Sequence, residues 1–171
     1  MTPAEFLQKY GVKAFYHFTD RRNLDLIRKH GLLSWAELKK RKLAVAAPGG
    51  NEWSHDADAF YGLDDHVHLC FLEQHPMEYV AKKEGRLVDV RYLQIDPSVI
   101  KRDGVLVSLD VSNKKGVPVE SFAKAAASMD FEAIYGNMNW KDKDEMARVL
   151  AVRKYEILVP NSISADLIKG L

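Results

Sequence analysis

The sequence predicts an α+β fold, and three observations carry that expectation. Short apolar runs of strand character alternate irregularly with capped helical segments, without the regular βαβ rhythm of a parallel sheet. At 171 residues the chain is long enough for one proper core and too short for two, so a single domain over residues 1–171 is expected. A hydrophobic fraction of 47% beside 29% charged residues is that of an ordinary soluble globular protein.

Thr2-Pro3-Ala4-Glu5 reads as a capping box with proline at the first helical position, opening a helix over about residues 3–9. A strand over about residues 14–18 stops at Thr19-Asp20. Either residue can cap a helix that carries Asn23, Leu24, Ile27 and Arg28 and closes at Gly31. A further helix is expected near residues 34–42, roughly from Ser34 onward. Residues 43–64 show no clear period, and a loop of that length in a compact domain usually lines or covers a site.

His66–Phe71 reads as a strand, Pro76–Lys83 as a short helix, and Leu87–Ile95 as a strand closed by Asp96-Pro97. Val105–Leu109 is a further strand ahead of the polar turn Ser112-Asn113-Lys114-Lys115-Gly116. Phe122–Met129 is Ala-rich and helical in character, and Glu145–Ala151 suits a second small helix. Ile157, Leu158 and Val159 form a continuous apolar run closed by Pro160-Asn161, as in a buried strand entering a turn. Internal repeats, low-complexity segments and a credible domain boundary are all missing from the sequence.

A formal net charge of +1 gives no global basic field, so nucleic-acid contact requires a local patch. The single cysteine, Cys70, excludes an internal disulfide framework, fits a reducing compartment, and lies in an apolar run that suits packing better than nucleophilic chemistry. The N-terminus carries no charged-then-apolar signal segment, and no apolar run is long enough to span a membrane, so a cytoplasmic protein is expected. Neither a Gly-x-Gly-x-x-Gly turn nor a P-loop occurs, so a dinucleotide would bind outside those frameworks.

Two segments stand out as candidate chemistry. Glu156 opens the apolar strand near the C-terminus, where a carboxylate is either partly desolvated and held rigidly or simply a solvated edge residue. Phe15-Tyr16-His17-Phe18-Thr19-Asp20 runs a strand into a helix cap, which puts backbone amides and an imidazole where an anionic or polar ligand is favoured. The alternative for His17 is a core histidine beside an ordinary cap. His66 and His68 share a strand face, with His55, Asp56 and His75 near in sequence, but the set lacks a Cys pair or a His-Glu-x-x-His helix, and no metal is expected.

Read in order, Tyr16-His17-Phe18-Thr19, Asn23-Leu24, Ile27, Gly31-Leu32-Leu33, Asp65-His66-Val67, Leu69-Cys70-Phe71, Pro76-Met77-Glu78-Tyr79 and Tyr155-Glu156-Ile157-Leu158-Val159 resemble the DarT-type ADP-ribosyltransferases. The resemblance covers almost the whole chain. It implies an ADP-ribosyltransferase-like mixed sheet core with flanking helices, in an enzyme that cleaves NAD at the nicotinamide glycosidic bond. ADP-ribose would pass to a base in single-stranded DNA, with RNA or protein as alternative acceptors and a non-catalytic binding module as the third reading. Members commonly act as toxins paired with a macrodomain antitoxin.

On this resemblance Glu156 is the catalytic residue. His17, Phe18, Thr19, Gly31 and Tyr79 are cofactor contacts, and Arg41 is the candidate for an arginine expected after the first helices. Tyr79 suits ring stacking and core packing equally well. The loop before the catalytic glutamate reads the acceptor, which assigns Trp140, Arg148 and Arg153 to base stacking and phosphate contact. Trp140 is equally suited to anchoring its own loop. Lys39-Lys40-Arg41-Lys42 and Lys114-Lys115 read first as solvated faces.

Overall fold

The computed structural model describes residues 1–50 and 52–171, with no account of the side chains of residues 52–54. Its strands are β1 (Phe15–Asp20), β2 (Leu32–Leu33), β3 (His66–Cys70), β4 (Val90–Ile95), β5 (Leu106–Ser108), β6 (Val119–Ser121), β7 (Glu156–Pro160), β8 (Ser162–Ile163) and β9 (Ile168–Lys169). Seven of them form one sheet in the order β6-β5-β7-β3-β1-β4-β9, antiparallel in every pairing. β2 and β8 pair as a separate two-stranded sheet. The helices are α1 (Pro3–Tyr10), α2 (Leu24–His30), α3 (Trp35–Lys40), α4 (Glu52–Phe60), α5 (Pro76–Lys83), α6 (Phe122–Ala125), α7 (Phe131–Tyr135) and α8 (Lys143–Val152).

The expected capping box opens α1, with the Glu5 amide donating to Thr2 Oγ1 and the Thr2 amide donating back to the Glu5 carboxylate. Phe6 on that helix is fully buried against Phe71, Phe122 and Phe131, and full burial of such a side chain stabilises by about 1.5–3 kcal/mol. Ile157, Leu158 and Val159 are likewise fully buried because β7 lies between β3 and β5 inside the sheet. A continuous apolar run is what such a strand requires.

Several short elements depart from the sequence reading. The stretch 43–64 contains α4, and Phe122–Met129 is helical only as far as Ala125. β2, β6, α7, β8 and β9 were not expected, being five residues or fewer and stabilised by tertiary contact rather than by local pattern. Among the described residues no helix is long and apolar enough to cross a membrane.

Antiparallel pairing fixes where chemistry can gather. β7 begins at Glu156 opposite Cys70, where β3 ends, and opposite Ser108, where β5 ends. The chain leaving β5 and the chain leaving β3 therefore both turn beside the Glu156 side chain.

Candidate active site

A cavity of about 260 Å³ opens against this part of the sheet, walled by β1, β3, the start of β7, α2, α3 and the 43–64 segment. Glu156 is buried in its wall, with an 8% exposed side chain. Its Oε2 accepts from the Ser112 amide at 3.1 Å and the Ser112 hydroxyl at 2.5 Å, and lies 3.4 Å from His68 Nδ1. Its Oε1 lies 3.4 Å from His75 Nε2. Ser112 arrives on a turn that ties itself together. The Ser108 hydroxyl donates to the Asp110 carbonyl at 2.7 Å, and the Asp110 carboxylate takes the Val111 amide and the Lys114 ammonium at 2.8 Å each.

Burial alone would push the Glu156 carboxyl up, but the hydrogen bond and positive charge of His68, the nearby His75 and the Ser112 hydroxyl together hold it below its ordinary value. His68 shows the converse. Burial disfavours its cation, yet the hydrogen bond and charge of Glu156, with Asp58 behind, push its pKa up to about 9. At neutral pH the pair is an imidazolium facing a carboxylate. Burial lowers the pKa of His75 and raises that of Asp58, which lines the same cavity.

On the neighbouring strand β1, His17 Nδ1 donates to the His68 carbonyl at 3.0 Å. The β1–β3 ladder is in register only at Tyr16 and Cys70, and the imidazole extends that link beyond the backbone pairing. Burial lowers the His17 pKa, so the ring is neutral and its Nε2 is left as an acceptor. Phe18 stacks on His75 with ring centroids 6.0 Å apart. Thr19 Oγ1 accepts from Asn23 Nδ2, and Asn23 also clamps both backbone groups of Ala47, at 2.7 and 2.9 Å, so the 43–50 segment is fixed to the end of β1. Gly31 lines the cavity with φ +74, and a Cβ there would collide with the Ile163 carbonyl oxygen. Trp35 and His55 stack face to face at 3.9 Å in the outer wall.

The structure thus gathers Glu156, His17, Phe18, Thr19 and Gly31 around one cavity, and it leaves the other five predicted residues elsewhere. Arg41 lies on the surface of α3, held by Glu37 one turn back at 2.9 Å, and among the described residues no Arg or Lys lines the cavity. Tyr79 is 69% exposed, whereas Met77 lines the cavity, because two residues along a helix lie on nearly opposite faces. Arg148 forks onto Asp130 at 2.7 and 2.8 Å and reaches Glu132 at 2.6 Å, so two carboxylates already compensate its charge and it serves the α7–α8 contact.

Trp140 and Arg153 do come together, away from the first cavity. The guanidinium lies 5.3 Å over the indole, and both line a second hollow of about 290 Å³ with Gln74 and Met138. His66 and His68 share a face as strand alternation requires, and no group of three or more metal-ligating side chains converges among the described residues.

Ser112, His68, His75 and Asn23 were not singled out as site residues by sequence. The signal for His68 was present in the His-x-His alternation of β3. Ser112 and His75 sit in turns, and only tertiary pairing carries them to Glu156.

The sequence matches the family described as ssDNA thymidine ADP-ribosyltransferase, DarT, over residues 16–171. The chain belongs to the DarT family. A solved structure of Thermus sp. 2.9 DarT in complex with ADP-ribosylated ssDNA shares the fold at a TM-score of 0.68 and 17% identity, covering 93% of this chain and 80% of that one. The same Thermus protein with NAD+ gives a TM-score of 0.59 at 20% identity, with 92% and 79% covered. Thermosipho africanus DarTG in complex with ADP-ribose gives 0.63 at 17% identity, and this chain, 91% of it aligned, spans only 42% of that protein's length. A comparison with curated proteins yields no match. Membership in the DarT family makes the catalytic class that of an ADP-ribosyltransferase.

Proposed function

We propose that this chain uses NAD to place ADP-ribose on a thymidine base of single-stranded DNA, acting as one ADP-ribosyltransferase-like domain over residues 1–171. The observation that carries the reading is the buried, ionised Glu156 carboxylate fixed in a cavity wall of a DarT-family chain. The cavity suits a dinucleotide chemically. Asp58, His55 and His75 bring polar side chains to a wall that is otherwise apolar and aromatic.

In the reaction the bond between the ribose C1′ and nicotinamide breaks, its electron pair neutralises the departing ring, and C1′ bonds to a ring nitrogen of the base, which gives up its proton to solvent water. Positive charge develops on the ribose, and a fixed carboxylate beside it stabilises that charge most where water is excluded. The depressed pKa of Glu156 suits this electrostatic role better than proton abstraction. The Nε2 lone pair of His17 accepts a ribose hydroxyl, and Phe18, Thr19 and Gly31 complete the binding wall.

Reaction with NAD and single-stranded, duplex or RNA oligonucleotides, followed by nucleoside mass spectrometry, tests the reading. ADP-ribosyl-thymidine from the single strand is expected, since a ring nitrogen is hidden in a duplex. Modification confined to RNA or protein overturns the acceptor, and absence of released nicotinamide overturns the activity. His17→Ala should raise the NAD KM by about threefold to tenfold, the scale of one hydrogen bond, with kcat nearly unchanged. A fall in kcat at saturating NAD would instead put His17 on the transition state.

The acceptor strand is proposed to run over Trp140 and Arg153. Because the guanidinium already covers one indole face, Trp140→Ala should weaken single-strand binding by about 1 kcal/mol, the low end for base stacking. Arg153→Ala should lower the salt slope of binding by about one. Unchanged binding of both variants by fluorescence anisotropy would move the acceptor elsewhere. A modification of this kind blocks template use, which fits a toxin acting in the cytoplasm, where Cys70 stays reduced, with a macrodomain antitoxin that removes the ADP-ribose.

A further inference from the structure

We propose that His75 is a positioning residue that aims the Glu156 carboxylate, a role that rests on Glu156 acting in the transfer. The geometry around its ring carries the inference. His75 is 2% exposed and caps α5, its Nδ1 accepting the Met77 amide at 3.2 Å. An imidazole nitrogen that accepts carries no proton, so in the neutral ring the proton sits on Nε2. That nitrogen makes no hydrogen bond of good geometry, and the acceptors it faces are the Lys154 carbonyl and Glu156 Oε1, the latter 3.4 Å away.

The two carboxylate oxygens therefore have different neighbours. Oε2 is saturated by the Ser112 amide and hydroxyl with His68 alongside, and it is fixed from the β5 side of the sheet. Oε1 is left to the cavity and to His75, which approaches from the turn between β3 and α5. Oε1 is already 3.4 Å from Nε2, and a rotation of the Glu156 side chain that aligns it with the N–H completes the hydrogen bond. The carboxylate plane is then set by donors on both sides, and Phe18 stacked on the imidazole keeps that ring from turning. Burial keeps His75 neutral, so it orients the carboxylate without adding a second cation beside His68.

His75 thus does two separable things, and two substitutions divide them. His75→Asn keeps an acceptor for the Met77 amide, since asparagine is a good cap, but its side chain ends short of Glu156. His75→Gln extends an amide donor to roughly the place of Nε2 and loses the cap. Under the proposal His75→Asn melts near the parent temperature yet loses about tenfold to a hundredfold in kcat, with the NAD KM within a few fold. His75→Gln melts lower and recovers most of kcat at a temperature where it is folded. The reverse order, an active His75→Asn beside an inactive but folded His75→Gln, makes His75 a cap and nothing more.

Glu156→Gln assayed alongside separates the two readings. If it stays active, Glu156 is not the stabilising group and the proposal falls with it. If it is inactive while His75→Asn keeps the parent kcat, the positioning role alone is overturned. Adding His75→Asn to Glu156→Gln should cost nothing further, because a group that acts only through the carboxylate has nothing left to aim.

Discussion

Glu156→Gln is expected to lower ADP-ribosyl transfer by at least about a hundredfold while the protein stays folded and binds NAD within a few fold of the parent. Glutamine has the same shape and its oxygen can still accept the Ser112 amide, so packing in the wall is preserved. What disappears is the negative charge that faces the developing positive charge on the ribose. The same change should be visible without turnover. With its partner neutralised, His68 should titrate well below the parent value of about 9, toward the ordinary 6.5. A histidine whose folded pKa is raised contributes stability fully below its unfolded value, and loses that contribution as pH rises through the folded one. Melting temperature should therefore decline between about pH 6.5 and 9 in the parent and stay flatter in Glu156→Gln. A folded variant with parental transfer rate would remove Glu156 from the chemistry.

The place of that carboxylate, though not its burial, was legible in the sequence because strand chemistry is local. Ile157, Leu158 and Val159 announce a buried strand, and the residue before them has to sit at its mouth. The cap at Asp20, which takes the Arg22 amide of the short turn ahead of α2, and the His-x-His alternation were legible for the same reason. Ser112 and His75 were not, because each lies in a turn whose composition says only that the chain reverses, and the antiparallel register of β5, β7 and β3 decides what that turn faces. Helix phase also decides what an exposed-looking motif does: Pro76-Met77-Glu78-Tyr79 reads as one block, yet only Met77 of the Met77–Tyr79 pair reaches the cavity. For Arg148 the obstacle is pairing at a distance. Asp130 and Glu132 precede it by 18 and 16 residues, and no local pattern reveals that they compensate its charge.

Asp20→Ala is expected to destabilise the fold by about 3 kcal/mol, a large share of the roughly 5–15 kcal/mol that holds a domain together. The Asp20 side chain is 1% exposed and accepts five hydrogen bonds: from the Arg22 amide and both ends of its guanidinium, and from the Val88 and Asp89 amides at 2.7 and 3.2 Å. Half-exposed Arg22 can return to water, so its ion pair contributes less than its geometry suggests. The Val88 and Asp89 amides cannot relax so easily, and leaving them without an acceptor is the larger cost. Those amides lead into β4, which pairs with β1 along its whole length, so Asp20 joins the strand that carries His17 to its neighbour at the point where both meet the cap. The Arg22 guanidinium and these amides hold its carboxyl far below the ordinary value of 3.8, against the opposing effect of burial. A depressed carboxylate contributes stability fully above its unfolded value and loses it as pH falls through the folded one, so the gap in melting temperature between the parent and Asp20→Ala should begin to narrow only as pH falls below about 4. Asp20→Asn, which keeps one acceptor oxygen, should lie between them at neutral pH. A loss below about 0.5 kcal/mol for Asp20→Ala by urea denaturation would mean that the β1–β4 ladder holds this junction without its cap.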